Sequence, residues 1–328
     1  MALKETAGRP ILCTTNFFHL IGLLSLINRL ANKGTSYFFT KESLEDTKEP
    51  WEAKVLNAVD TLKPRDLVMG SHQVLSLCYL NKSDAKGLDL GSVVAVAPAG
   101  APVPPNTVER LAPIFPNIVG VANGYSLTEF GGVITVSFDP AKLGVVLPGK
   151  QVKIVNPKNE EILGQNQVGE IYAKSKLIMK GYLNNPQENT QFFASDGFIR
   201  TGDFGHFDNK GLLYFDGRSK DLIKYKNFHV YPKELVDVLI GHPAVKDGAI
   251  FGVLSRECQE LVTGVAILHP GANVTGKNLA DYVNDKIGED FKRIRGGVYI
   301  VDSIPRDVNG KTLNKDLKPI YTRFEDFI

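Results

Sequence analysis

Thr201-Gly202-Asp203-Phe204-Gly205-His206-Phe207-Asp208-Asn209-Lys210-Gly211-Leu212-Leu213-Tyr214-Phe215-Asp216-Gly217-Arg218-Ser219-Lys220-Asp221 is the stretch on which the fold turns. Two polar clusters, Thr201-Gly202-Asp203 and Gly217-Arg218-Ser219-Lys220-Asp221, flank a hairpin whose turn is Asp208-Asn209-Lys210-Gly211. The apolar residues on either side of that turn read as paired strands. A carboxylate beside a glycine can accept from two vicinal hydroxyls while the backbone comes close, and a ribose fits that demand. Arg218 adds a planar donor fork for hydroxyl or phosphate oxygens. Either cluster by itself reads equally well as a solvated turn.

Composition narrows the classes. A chain of 328 residues can bury a large core, with two domains as the soft expectation. Its 38 basic and 36 acidic residues nearly cancel, so nothing points to a nucleic-acid or polyanionic partner. Cys13, Cys78 and Cys258 are far apart and odd in number, which argues against a disulfide framework and fits a reducing setting. The histidines show no paired metal-ligand spacing. Residues 11–30 are apolar, with Lys4 and Arg9 ahead of them. Thr14, Thr15, Asn16, His19 and Asn28 interrupt the run, and no small-residue cleavage site follows. It therefore reads as a buried strand and helix, neither a leader nor a membrane span.

Along the chain, residues 11–18 suggest a strand and 20–30 a helix. Residues 50–62 and 71–81 suggest two amphipathic helices, broken by Lys63-Pro64-Arg65-Asp66. Residues 88–97 form an apolar run expected of a strand covered on both faces. It ends in Pro98-Ala99-Gly100-Ala101-Pro102, a loop small enough for a planar base to lie on its backbone at the carboxyl end of a parallel strand. Asn123-Gly124-Tyr125-Ser126-Leu127-Thr128-Glu129 then offers a ring for stacking, a hydroxyl for a phosphate oxygen and a carboxylate for Mg2+. Turn residues recurring over 142–182 predict antiparallel strands.

Beyond Asp221 the pattern is α+β. Pro232 opens a helix, residues 245–253, 261–268 and 297–301 alternate like strands, and Leu279, Val283 and Ile287 mark one helix face. The loop Pro305-Arg306-Asp307-Val308-Asn309-Gly310-Lys311 presents one lysine at its tip, which alone reads as a solvent-exposed residue. His19, alone, reads as a hydrogen-bonded interior histidine.

Taken together these motifs resemble the adenylate-forming enzymes: acyl-CoA synthetases, firefly-type luciferases and peptide-synthetase adenylation domains. The insect luciferase-like acyl-CoA synthetases look most similar, through Leu222-Ile223-Lys224-Tyr225-Lys226. The resemblance implies an α/β fold: a truncated adenylate-forming large domain over 1–219, built as a parallel sheet layer plus an antiparallel β subdomain. A small α+β C-terminal lid domain follows over 220–328. It also implies the site. Asp203 would hold the ribose, with Arg218, Tyr125, Thr128 and the Gly100-Ala101-Pro102 loop placing the nucleotide and Glu129 holding Mg2+. Phe17-Phe18-His19-Leu20-Ile21-Gly22 resembles the family's Phe-His-x-x-Gly segment, so His19 would border the acyl pocket. Lys220 would be the hinge, Lys311 the catalytic lysine of the first half-reaction, and Lys224, Lys226 and Asn227 would line the coenzyme A tunnel.

The implied reaction joins a small-molecule carboxylic acid, expected to be a fatty acid, to coenzyme A through an acyl-adenylate, consuming ATP and releasing AMP. Ser126 stands where the family has glycine; if that position needs positive φ, serine costs about 1 kcal/mol. The family's phosphate-binding loop lies well upstream of its Phe-His-x-x-Gly segment, and residues 1–10 contain no Ser/Thr/Gly-rich run ending in lysine. A nucleotide- or acyl-binding remnant without catalysis is therefore the competing expectation, with luciferase-type oxygenation behind it. The chain ends Asp326-Phe327-Ile328 and not Ser-Lys-Leu, which leaves a cytoplasmic or peroxisomal setting as the expectation.

Overall fold

The computed structural model describes residues 10–40, 48–100, 103–226, 228–255, 257–306 and 312–322. Five parallel strands come first: β1 (Ile11–Cys13), β2 (Ser36–Phe38), β3 (Asp66–Gly70), β4 (Ala95–Ala99) and β5 (Gly120–Val121), ordered β2-β1-β3-β4-β5. Parallel neighbours need crossovers, and helices α1 (Leu20–Ala31), α2 (Trp51–Leu62), α3 (Ser71–Leu77) and α4 (Thr107–Leu111) supply them. Leu67 and Met69 of β3 point into a core built with Val55, Leu56 and Val59 of α2 and Val74 and Leu77 of α3. Asp66 lies on the opposite sheet face, where Arg29 of α1 meets it at 3.5 Å.

The expected strand over 88–97 begins only at Ala95. Leu90 and Val93 are buried in the same core, so burial without strand pairing produced the apolar run. Asp89 accepts from the Gly91 amide and Asn117 donates to the Gly91 carbonyl, which fixes a turn where a strand was expected. Likewise β1 ends at Cys13 and α3 at Leu77, short of the expected limits of 18 and 81.

Strands β6 (Asn123–Leu127), β7 (Gly132–Ser137) and β8 (Val145–Val146) form an antiparallel sheet. A four-stranded antiparallel sheet, ordered β12-β11-β10-β9, follows from β9 (Gln151–Val155), β10 (Gly169–Lys174), β11 (Ile199–Phe207) and β12 (Leu213–Arg218), with α5 (Pro186–Phe192) inserted before β11. The Asp208 carboxylate accepts from the amides of Lys210 and Leu212, closing the expected hairpin turn.

The C-terminal unit has its own core. Strands β13 (Ile223–Tyr225), β14 (Phe228–Val230), β15 (Val245–Ser255), β16 (Gln259–Leu268) and β17 (Val298–Ile300) make one sheet, flanked by α6 (Pro232–Ile240), α7 (Gly276–Ile287) and α8 (Asn314–Thr322). Leu235, Leu239, Leu279 and Val283 pack on Val262 and Ala266 of β16. The Glu260 carboxylate ties the two ends of this unit together: one oxygen accepts from the Lys224 amide at 2.8 Å and the other from Lys318 of α8 at 2.9 Å. A Cβ at Gly252 would lie 2.7 Å from that carboxyl carbon, so a side chain there would have to displace the Glu260 carboxylate. No helix among the described residues is long and apolar enough to cross a membrane.

Candidate nucleotide site

The antiparallel register of β11 and β12 sets Asp203 opposite Arg218. Asp203 is 1% exposed, and Arg218 Nε lies 2.8 Å from its Oδ1. Tyr125 comes in from β6 and donates its hydroxyl to Asp203 Oδ2 at 2.7 Å. Below them Thr201 holds the turn, accepting from the Asp203 amide at 3.1 Å and donating to the Ile171 carbonyl at 2.7 Å. The Gly202 amide donates to Glu170 at 3.2 Å. Burial, and then the Asp203 charge, push the Tyr125 hydroxyl well above its usual 10, against smaller pulls from Thr201 and Arg218. The phenol thus stays a donor at neutral pH. A carboxylate offers about four lone-pair sites; Tyr125 donates to one oxygen and the Arg218 guanidinium lies in ion-pair contact with the other. Arg218, whose side chain is 40% open, can turn toward a ligand without unfolding the strand. The residues therefore fit a ribose diol.

Three sequence-expected residues, Tyr125, Asp203 and Arg218, are thus brought together, in one respect differently from expectation. The Tyr125 ring packs in a core cluster with Phe130, Ile134 and Ile171, and its hydroxyl is what reaches Asp203. Strand β5 runs on into β6 alongside β4, whose carboxyl end carries Gly100. Gly100 has φ +95, a left-handed conformation that suits glycine. Ala101 and Pro102 lie outside the described residues.

Glu129 follows β6, half-buried, and its Oε1 accepts from the Tyr182 hydroxyl at 3.0 Å. Burial, with that bond and the Glu129 charge, pushes the Tyr182 hydroxyl up to about 12. The other carboxylate oxygen stays available. Among the described residues no three His, Cys, Asp or Glu side chains gather into a metal cluster. A single carboxylate suits Mg2+ that takes its remaining ligands from phosphate and water. Thr128, next to Glu129, is exposed. Ser126 takes no positive φ, so the strain anticipated for it does not arise; the left-handed turn falls instead at Gly131, φ +73, where a Cβ would lie 2.4 Å from the Leu177 carbonyl oxygen.

His19 caps α1, its Nδ1 accepting from the Ile21 amide at 3.3 Å. Lys220 is exposed in a single 3-10 turn, Ser219–Asp221, between β12 and β13. Lys224 is exposed on β13, and Lys226 takes φ +53 just after that strand. Asn227 and Lys311 lie outside the described residues. Sequence reasoning placed Tyr182 only within the recurring turns and strands of 142–182 and Thr201 only within the Thr201-Gly202-Asp203 cluster, and missed Glu260. For Tyr182 the Gly181-Tyr182 pair was the available signal; for Glu260 none existed, because its partners are distant in the chain.

The family pattern described as AMP-binding enzyme matches residues 2–183, and the one described as AMP-binding enzyme C-terminal domain matches 234–311. A luciferin 4-monooxygenase of Luciola mingrelica is 37% identical over 97% of this chain. A 4-coumarate–CoA ligase of Oryza sativa subsp. japonica is 31% identical over 94%. The chain spans only 56% and 57% of those two proteins. Among solved structures, ATP-bound MatB from Rhodopseudomonas palustris superimposes with a TM-score of 0.82 at 24% identity, covering 98% of this chain and 61% of that one. That likeness is one of fold.

Proposed function

The chain belongs to the AMP-binding enzyme family, and from that premise we propose that it binds an adenine nucleotide and serves the ligation of a carboxylic acid to coenzyme A. In this reading ATP supplies the activating group. The acid's carboxylate attacks the α-phosphorus, the bond to pyrophosphate breaks, and an acyl-adenylate results. The thiol of coenzyme A then displaces AMP from the acyl carbon. Asp203 accepts from the ribose hydroxyls, held in place by Tyr125 from one side. Arg218 turns from Asp203 to the nucleotide, and Glu129, steadied by Tyr182, holds Mg2+. Pyrophosphate departure builds charge on phosphate oxygens, so fixed donors and cations matter more here than covalent catalysis. The units 1–219 and 220–328 pivot about Lys220 between the two half-reactions. A fatty acid remains the favoured acid on the strength of the sequence resemblance.

One observation carries the reading: a single buried carboxylate receives both Tyr125 and Arg218 from different strands. Calorimetric titration with AMP tests it. Loss of one charged hydrogen-bonding partner is worth about 1.5–3 kcal/mol, so Asp203→Asn should weaken AMP binding by roughly ten- to a hundredfold. Equal affinity in both proteins would sink the assignment. A second reading is a nucleotide-binding module without adenylation. ATP–pyrophosphate exchange in the presence of fatty acids separates the two, since a binding module cannot exchange.

A further inference from the structure

Tyr231 is mounted on the C-terminal unit, yet its ring lies on β11 and β12. Val230 before it is fully buried in the C-terminal core, and Pro232 after it is buried at the start of α6. A residue that precedes proline is confined to extended backbone, and Tyr231 takes φ -88 and ψ 114. The ring therefore travels with the C-terminal unit as a rigid wedge. Gly217 of β12 is buried beneath it: a Cβ there would lie 3.1 Å from Tyr231 Cδ1. The buried Phe204 ring of β11 has its centre 5.6 Å from that of Tyr231. The phenol stays neutral at physiological pH, since burial and then the Asp216 charge push it up to about 12.

This seat adjoins the carboxylate site by one step of the ladder. The register pairs Phe204 with Gly217 and, next to them, Asp203 with Arg218. Both residues under the wedge are chain neighbours of the two that meet at 2.8 Å. On its far side Arg218 leads directly into the Ser219–Asp221 turn between β12 and β13. Arg218 is thus held between a seat filled by the C-terminal unit and the turn through which that unit is attached. Beyond the seat the ladder breaks. Gly205 pairs with Phe215, which leaves Asp216 as the extra residue of a bulge, its carboxylate 2.7 Å from His206 Nδ1. The Tyr231 ring packs where the strand pairing is interrupted.

We propose that Tyr231 is a positioning residue for the nucleotide: seated on Gly217 and Phe204, its ring holds β11 and β12 so that Asp203 and Arg218 face the ligand together. Nucleotide affinity then depends on where the C-terminal unit sits. This role rests on the nucleotide reading of Asp203 and adds to it a dependence on pose. Coupling between two sites is reciprocal, so a bound nucleotide in turn favours the seated wedge.

The test is calorimetric titration of AMP into the full chain and its variants. Tyr231→Ala should weaken AMP binding about five- to a hundredfold, the usual span of such coupling. Tyr231→Phe keeps the ring and should restore most of that affinity. Tyr231→Ala combined with Asp203→Asn separates positioning from a general loosening of the fold. The two losses should fall well short of adding, since both act on one pair, whereas a loosened fold would add its loss in full. In the parent, spin labels on the two units should show a distance distribution that AMP sharpens, a readout that needs no variant to fold. Equal AMP affinity in parent and Tyr231→Ala, fully additive losses, or a distance distribution that bound AMP leaves unchanged would each overturn this role and leave the nucleotide reading standing. A parent that binds no AMP would overturn both.

Discussion

Tyr125 and Asp203, on strands of two different sheets, meet through a 2.7 Å hydrogen bond in which the phenol donates to a carboxylate that is 1% exposed. Tyr125→Phe deletes the donor and keeps the ring. A bond to a charged acceptor contributes about 1.5–3 kcal/mol, so urea unfolding should show a loss of about 2 kcal/mol. Because the Tyr125 hydroxyl is held well above 10, that loss should be the same at pH 6 and pH 9. A loss confined to one end of that range would contradict the bond.

Arg218 supplies the second contact to the same carboxylate, from a side chain that is 40% open. Removing one member of a fully buried pair costs about 3–5 kcal/mol, and solvent access lowers that figure. Arg218→Ala is expected to cost about 1–2 kcal/mol in urea unfolding. It should also weaken AMP binding, whereas Arg218→Lys should restore stability better than binding, since a point charge replaces a fork.

Glu170 offers a pH signature. Burial lifts its carboxyl above the usual 4.5, partly offset by the Gly202 amide and Arg200. A carboxyl raised by folding contributes stability that is complete below pH 4.5 and is lost as pH climbs through its folded value. Glu170→Gln keeps an acceptor for Gly202 and removes the charge. The variant should therefore be more stable than the parent at pH 7 and indistinguishable from it near pH 4. Parallel stability curves across that window would refute the burial effect.

Where the two ends of the molecule touch, the Tyr79 hydroxyl donates to the Lys246 carbonyl, and the Arg110 guanidinium and Lys246 ammonium lie 4.8 and 4.7 Å from its ring centre. His269 meets the same ring edge-on. Burial first, then Arg110 and Lys246, hold His269 below its usual 6.5. A histidine lowered in this way contributes stability that is present above pH 6.5 and lost as pH falls through its folded value. Spin labels placed on the two units should show a distance distribution that broadens below pH 6, and Tyr79→Phe should broaden it already at pH 7.5. An unchanged distribution in Tyr79→Phe would dismiss the contact as incidental.

Much of the architecture was legible because it rested on short-range chemistry. The Asp208 turn, the Pro232 helix start and the fourfold spacing of Leu279, Val283 and Ile287 each depend on residues close in sequence. The run over 88–97 misled, because hydrophobicity reports burial and cannot tell a buried turn from a strand; Leu90 and Val93 are core residues without ladder partners. At the site, Asp203, Arg218 and Tyr125 were singled out through the family motifs, and Tyr125 makes a hydroxyl contact to Asp203 that the expected ring stacking did not include. A ring's orientation depends on what packs behind it, here Phe130 and Ile134, and no local pattern encodes that. Tyr182 touches Glu129 across a long chain separation, beyond the reach of any window of sequence.

The Glu260 carboxylate holds the amide of Lys224 on β13 with one oxygen and the ammonium of Lys318 on α8 with the other. A proteolytic nick that released α8 would strip a carboxylate that is 13% open of this cation and leave its grip on Lys224 weakened. Damage at the tail would then be felt at β13, and faster amide exchange at Lys224 after mild trimming would be its sign.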